Sequence, residues 1–250
     1  MTAEPAQRVG GGRGLGNFVL GTLLVLGGIA LLVGFRVFLF QPFNVPSGAM
    51  KPTLLIGDYF VVSKYAYGYS RYSFPGSPQL FAGRILAAQP RYGDVVVFRL
   101  PRDPSTEYVK RVVGLPGDRI QMIHGLLHIN GTAVNRERME DFTETDASGR
   151  TTPGKQWRET LPNGARYVTL DLIDEGFYDN TNVYTVPPDH YFMMGDNRDN
   201  SLDSRALAQV GFIPFENLVG RVERLIFSID RGPRSDDFSV RFERIGVAVR

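Results

Sequence analysis

The chain has no cysteine. Disulfides and thiolate chemistry are therefore excluded, and the redox compartment is left open. Histidine is scarce: only His124, His128 and His190 occur. The first two lie four apart, but in a strand-like stretch, so they read as solvated or strand-face residues rather than a helical metal pair. A dominant charge is also lacking. The 28 Lys and Arg against 26 Asp and Glu leave a net charge of +2, which gives no reason to expect nucleic acid as a partner. Lysine is the rare base, found only at 51, 64, 110 and 155. Arginine cannot shed its proton whereas a buried lysine can, so each lysine is a candidate for chemistry. Beyond residue 40 no long segment of helical period occurs, and no internal repeat.

What is present begins with a membrane-length run. The 250 residues allow one sizeable domain or two small ones. Residues 1–14 are polar and Gly-rich and read as disordered. Residues 15–35 carry no charge over 21 positions, and about 20 apolar residues span a bilayer. A cleaved signal peptide would show a small-x-small site after the run, but Arg36, Val37, Phe38, Leu39 and Phe40 follow instead. A retained signal-anchor over 15–40 is expected. Arg8 and Arg13 before it place the N-terminus in the cytoplasm, with Arg36 and Lys51 weighing the other way. The rest of the chain then lies outside the cytoplasm.

That remainder reads as strands over 59–62, 94–99, 107–113, 126–134, 167–172, 183–186, 191–194 and 218–227. The 126–134 stretch carries Asn130-Gly131, the strongest short hairpin signal. The fold class expected is mainly β, a transmembrane helix followed by a β core. Residues 65–90 hold Tyr65, Tyr67, Tyr69, Tyr72, Phe74 and Phe81 among Gly, Ser and Pro. Such a loop suits a membrane interface or an aromatic mini-core, and the two readings stand level. Residues 137–166 read as a mobile excursion or a small satellite subdomain. The charged stretch at 231–250 has no functional reading.

Three segments are too specific for generic β structure. The first is Pro46-Ser47-Gly48-Ala49-Met50-Lys51-Pro52-Thr53-Leu54, where Pro and Gly hold an open shape rather than a plain strand. The second runs from Gly93-Asp94 to Tyr108-Val109-Lys110-Arg111 and on to Gly117-Asp118. The third is Gly195-Asp196-Asn197-Arg198-Asp199-Asn200-Ser201-Leu202-Asp203-Ser204-Arg205. Lys110 lies in an apolar strand pattern. The plain reading is a snorkelling or edge residue. If buried, it loses its proton readily and becomes a general base, which without a histidine partner needs a hydroxyl to activate. The third segment does not match a calcium loop, and Arg198 and Arg205 oppose a cation. A network of Asp–Arg pairs with an aimed Ser hydroxyl is the better account.

Together the three segments resemble the type I signal peptidase family, membrane-bound Ser–Lys proteases that remove signal peptides from exported proteins. The resemblance runs from about residue 40 to 227. It implies a general base at Lys110, oriented by Ser201. It implies an oxyanion hole from Ser47 and the amide of residue 49, and the nucleophile at position 49. Asp203 and Arg205 match a supporting ion pair, with Asp196 and Arg198 in the same network. Phe43, Val45, Met50, Tyr108 and Val109 match the small pockets that recognise signal peptides. The family fold it implies is a catalytic β core, here 41–118 and 187–230, with an inserted β subdomain at 119–186. The core would dock on the lipid bilayer of a bacterial inner membrane, and no metal or cofactor would be used. Oligomeric state is not implied.

Position 49 departs from that pattern, because it is Ala49. A methyl cannot attack a carbonyl. Ser47, two residues along a strand and so roughly 7 Å away, is a poor substitute. The expected form is a peptidase scaffold without its nucleophile. The intact remainder favours a Ser→Ala variant over a natural pseudo-peptidase that binds signal peptides without cutting them. A self-cleaving Ser–Lys repressor would need a DNA-binding helical domain in place of the anchor, and the sequence has none.

Overall fold

The computed structural model describes residues 12–145, 151–231 and 238–250. Helix α1 spans Gly12–Phe38. Its residues 17–38 are long and apolar enough to cross a membrane, and none of that span is buried against the protein. Most of 1–14 lies outside the described residues, but 12–14 are helical rather than disordered. The helix stops at Phe38, short of residue 40, because Phe40 enters a strand and pairs with Ser63.

The strands follow in chain order. First come β1 (Phe40–Asn44), β2 (Asp58–Ser63), β3 (Val95–Leu100) and β4 (Asp103–Gly114). Next are β5 (Arg119–Ile123), β6 (Leu126–Ile129), β7 (Thr132–Ala133), β8 (Asn135–Arg138) and β9 (Phe142–Thr145). Then come β10 (Thr151–Thr160), β11 (Arg166–Asp171) and β12 (Tyr184–Thr185). The last are β13 (His190–Met194), β14 (Ile213–Pro214), β15 (Leu218–Arg231) and β16 (Phe238–Val240). A large sheet runs β1-β2-β15-β3-β4-β13-β14, with β16 on β15. Strands β11-β10-β8, with β9 on β10, form a second sheet, and β12-β5-β6-β7 a third. The mainly β architecture behind one apolar helix is as expected. Residues 137–166, expected as a mobile excursion or a small satellite subdomain, supply β10, the ten-residue strand at the centre of the second sheet.

Sequence pattern explains the layering. Val95, Val96, Val97 and Phe98 are all buried. The two faces of β3 meet different cores, so no polar residue is needed at alternate positions. Val95 and Val97 pack with Val45, Met50, Leu54 and Phe60. Val96 and Phe98 pack with Tyr67, Val112, Tyr191 and Met193. A third core, around Ile120, Leu127, Tyr167 and Phe192, joins the large sheet to the other two. At the β6–β7 turn Asn130 and Gly131 take φ of 54° and 82°, both left-handed, as a tight hairpin of this twist requires.

The aromatic stretch packs partly into the protein and partly against the end of α1. Tyr67 and Tyr72 are buried in the protein. Tyr69 and Phe74 pack their rings on Phe38, the last residue of α1, and Phe81 packs on Phe74. Leu80 and Leu86 stand out into solvent at 71% and 81% exposed. Lys64 is buried beside this cluster, and its Nζ donates to the Ser73 carbonyl at 2.6 Å and the Val37 carbonyl at 3.4 Å.

The stretch without a reading is also placed. Strand β16 pairs with the end of β15, and Arg244 reaches back to a fully buried carboxylate. Its Nε and Nη2 donate to Asp58 at 3.0 and 2.5 Å, and Nη2 also donates to the Thr53 carbonyl at 3.0 Å. Asp58 accepts further bonds from Ser228 Oγ and the Leu55 amide. Removing one partner of a buried charge pair leaves the other uncompensated. Arg244→Met should therefore destabilise the full chain by about 2–3 kcal/mol, discounted for the partial exposure of Arg244. Thermal unfolding in detergent checks this, with Arg244→Lys recovering part of the loss.

Candidate active site

The stretch from 45 to 54 leaves the sheet as β1 ends. Ser47 is still extended, but Gly48–Met50 form a single 3-10 turn closed by the Lys51 amide on the Gly48 carbonyl. Ser47 and residue 49 therefore do not lie along one strand, which corrects the strand spacing expected for them. Ser47 is exposed, while Ala49 is 8% exposed and Met50 is buried.

That turn is fastened to the β13–β14 connection. The Ala49 carbonyl accepts from the Asn197 amide at 3.1 Å, and the Gly48 carbonyl from Asn197 Nδ2 at 3.2 Å. Gly195 fits between the two. A Cβ there would lie 2.2 Å from Ser201 Oγ and 2.5 Å from the Ala49 carbonyl oxygen. Only glycine lets Ala49 and Ser201 approach this closely.

Lys110 enters from a central strand. Strand β4 pairs with β3 past Lys110 but with β13 only from Arg111 to Gly114, and Lys110 is nonetheless 5% exposed. Burial pulls its pKa from 10.5 down to about 8, against the opposing attraction of Asp203 and then Asp196, with Arg205 lowering it further. Nζ donates to the Val109 carbonyl at 3.2 Å and lies 5.2 Å from the centre of the Tyr108 ring. The expected bond from Ser201 to Lys110 is not made. Ser201 Oγ is buried and acts on the Asp203 carboxylate, whose pKa it helps to lower, while the amine bonds its own strand.

Three buried guanidinium–carboxylate pairs set the shape of residues 195–205. Arg205 grips Asp203 through Nε at 2.9 Å and Nη2 at 2.8 Å, and Nη2 also donates to the Arg198 carbonyl at 2.7 Å. The Gly195 amide donates to the same carboxylate at 3.1 Å. Burial alone would raise the pKa of Asp203, but Arg205 and these bonds hold it below the usual value. Asp196 pairs bidentately with Arg111, at 2.7 and 2.6 Å, and accepts from Thr53 Oγ1 at 2.5 Å. Arg198 does not pair with Asp196. It donates to Glu159 on β10 at 2.6 Å.

Of the pocket residues, Phe43, Val45, Met50 and Val109 belong to one apolar cluster, and Phe43 stacks on Phe60. Tyr108 lies with Phe98 in the other core, beneath the Lys110 amine. The structure thus joins residues 48 and 49 to Asn197, and sets Lys110 within electrostatic reach of Asp196 and Asp203. It adds Thr53, Arg111, Asn197, Glu159 and Tyr167, which the sequence reading passed over. Arg111 had a signal, since a charge at an inward position of an apolar strand implies a buried partner. Glu159 and Tyr167 had none, because nothing local marks a contact with residue 198. Lys64 is a second buried lysine with its pKa lowered to about 8, chiefly by burial.

These two lysines give a prediction that needs no activity. In the unfolded chain they hold their protons to about pH 10.5, but in the folded chain they release them near 8. The unfolded state then binds more protons, so stability rises with pH between about 8 and 10. Above that the buried Tyr67 and Tyr167, held well above their usual 10, reverse the slope. Thermal unfolding across this range checks it, and Lys110→Met should flatten part of the rise.

The family model and the sequence relatives agree on one family. The model for signal peptidase, peptidase S26, matches residues 18–227. A signal peptidase I of Rickettsia canadensis (strain McKiel) is 45% identical over 208 residues, 80% of this chain and 76% of that protein. A signal peptidase I of Rickettsia typhi (strain ATCC VR-144 / Wilmington) is 43% identical over the same length and the same shares. A crystal structure of a signal peptidase I from Enterococcus faecalis V583 matches 54% of this chain and 97% of its own, at 25% identity and a TM-score of 0.31.

Proposed function

We propose, for a chain that belongs to the signal peptidase family, peptidase S26, a membrane-tethered Ser–Lys endopeptidase scaffold for exported preproteins. Its cleavage site would follow Ala-x-Ala-like sequences, and Ala49 leaves this form unable to cut. The observation that carries the reading is Lys110: a buried amine with its pKa lowered to about 8, within electrostatic reach of Asp203 and Asp196, in the segment whose Asn197 binds the Gly48 and Ala49 carbonyls. A neutral amine at that place is a general base for an adjacent hydroxyl.

With serine at 49, Lys110 would take the hydroxyl proton as the oxygen attacks the carbonyl of the residue before the cut. Ser47 and the amide of residue 49 would hold the oxyanion. Lys110 would then hand its proton to the leaving amine. Water, deprotonated by the same lysine, would release the acyl-enzyme. Phe43, Val45, Met50, Tyr108 and Val109 would bound pockets too small for large side chains, since overpacking costs about 1–3 kcal/mol. Strand β1 lies at the edge of its sheet, where an extended signal peptide can pair with unpaired backbone groups.

The wider arrangement belongs to the same proposal. The catalytic core is 41–118 and 187–230, with 119–186 inserted. The helix anchors the chain in a bacterial inner membrane with its N-terminus in the cytoplasm, and the 65–90 loop faces the lipid. The exposed Leu80 and Leu86, and the ring contacts of Phe74 and Tyr69 with the end of the helix, support that loop's place.

Ala49→Ser is the test. It should create cleavage after Ala-x-Ala in a preprotein, a gain on the order of 10⁶, the scale on which triad proteases depend on their nucleophile. If serine brings no cleavage while signal peptides still bind, the natural pseudo-peptidase reading replaces this one. In the restored enzyme kcat/KM should climb as pH rises through about 8, where Lys110 becomes neutral.

A further inference from the structure

Arg198 is 5% exposed, and its only charge partner among the described residues is on another sheet. Glu159 on β10 accepts from Arg198 Nη2 at 2.6 Å. Tyr167 on β11 donates to the same carboxylate oxygen at 2.6 Å and accepts from Nη2 at 2.9 Å. Glu159 and Tyr167 are 1% and 5% exposed, so this triangle is dry. The ring of Tyr167 also lies 4.3 Å from the Arg111 guanidinium carbon, so one side chain touches both arginines that flank Asp196. Strand β11 adds backbone support. The Leu170 amide donates to the Asp196 carbonyl, and the Arg198 amide to the Leu170 carbonyl, each at 2.8 Å.

We propose that Glu159 and Tyr167 are positioning residues for the catalytic turn: by holding Arg198 they leave Asp196 to Arg111 and Thr53. The proposal rests on the functional reading above for its effect on turnover, but not for its effect on Lys110. The physical argument is competition between two cations for one carboxylate. Asp196 already lies within the electrostatic reach of Arg198, and Arg198 Nε and Nη1 are buried without hydrogen-bond partners among the described residues. Without Glu159, a desolvated guanidinium must find another anion, and Asp196 is at hand. Asp196 would then be shared. Its pull on Arg111 and Thr53, which carries the nucleophile turn, would weaken. So would its support of the Lys110 ammonium, which faces Asp203, Asp196, Arg205 and the Tyr108 ring.

The first arm uses the chain as it stands, labelled with ¹³C at lysine Cε. Only four lysines occur, so Lys110→Met assigns the signal. Glu159→Gln should move the Lys110 titration downward, on the order of half a pH unit. Adding Arg198→Met should bring it back, because the competing cation is gone. The second arm uses the Ala49→Ser background. There Glu159→Gln should lower kcat about 10- to 100-fold with KM within about twofold, since the pocket residues lie on other elements. Tyr167→Phe should lose less, and the double variant with Arg198→Met should recover most of the loss. An unmoved Lys110 titration in Glu159→Gln overturns the proposal. So does a double variant no better than the single, which would mark the triangle as a fold brace only. If Lys110 moves and returns as expected while Ala49→Ser cuts nothing, the functional reading fails and the positioning role stands.

Discussion

Lys110 is buried on an apolar strand, and keeping a lysine there is the constraint on which the rest depends. Desolvation penalises the ammonium, and a lone buried charge would cost several kcal/mol. The protein meets this by lowering the pKa to about 8 rather than by pairing the amine directly. Asp203 and Asp196 offset part of the penalty at a distance. Each is spoken for, Asp203 by Arg205 and Asp196 by Arg111. The amine thus feels anions that cannot collapse onto it, which leaves it free to exchange a proton.

The same carboxylates organise the nucleophile turn. Asp196 joins Arg111 on β4 to Thr53 beyond the turn, and Asn197 next door binds the Gly48 and Ala49 carbonyls. Gly195 removes the side chain that would force Ser201 and residue 49 apart. Position 49 is therefore set by residues more than a hundred positions later in the chain. From the other side, Arg244 holds the Thr53 carbonyl and the buried Asp58. Every one of these contacts runs through backbone or through residues other than 49, so none depends on which side chain stands at position 49.

Much of this was legible in the residues. The uncharged run, the continuous Val95–Phe98 stretch and Asn130-Gly131 each state their structure through a local rule, and each is found where that rule puts it. The three motif segments announced a shared chemistry, and Ala49 announced its interruption. Harder to read were elements whose meaning is a partner. Strand β10 is polar on its exposed positions and looks like a loop until β8, β9 and β11 pair with it. The charged residues 238–250 carry no reading until Arg244 meets Asp58.

The sequence by itself determined the apolar helix, the β class, the family motifs and the Ala at position 49, because hydrophobic length, strand period and motif residues are properties of short segments. Only the tertiary structure decided that Lys110 is buried, that Arg111 rather than Arg198 takes Asp196, and that Glu159 and Tyr167 stand behind Arg198. Burial and charge pairing depend on which distant residues arrive at one place, and no local pattern encodes that.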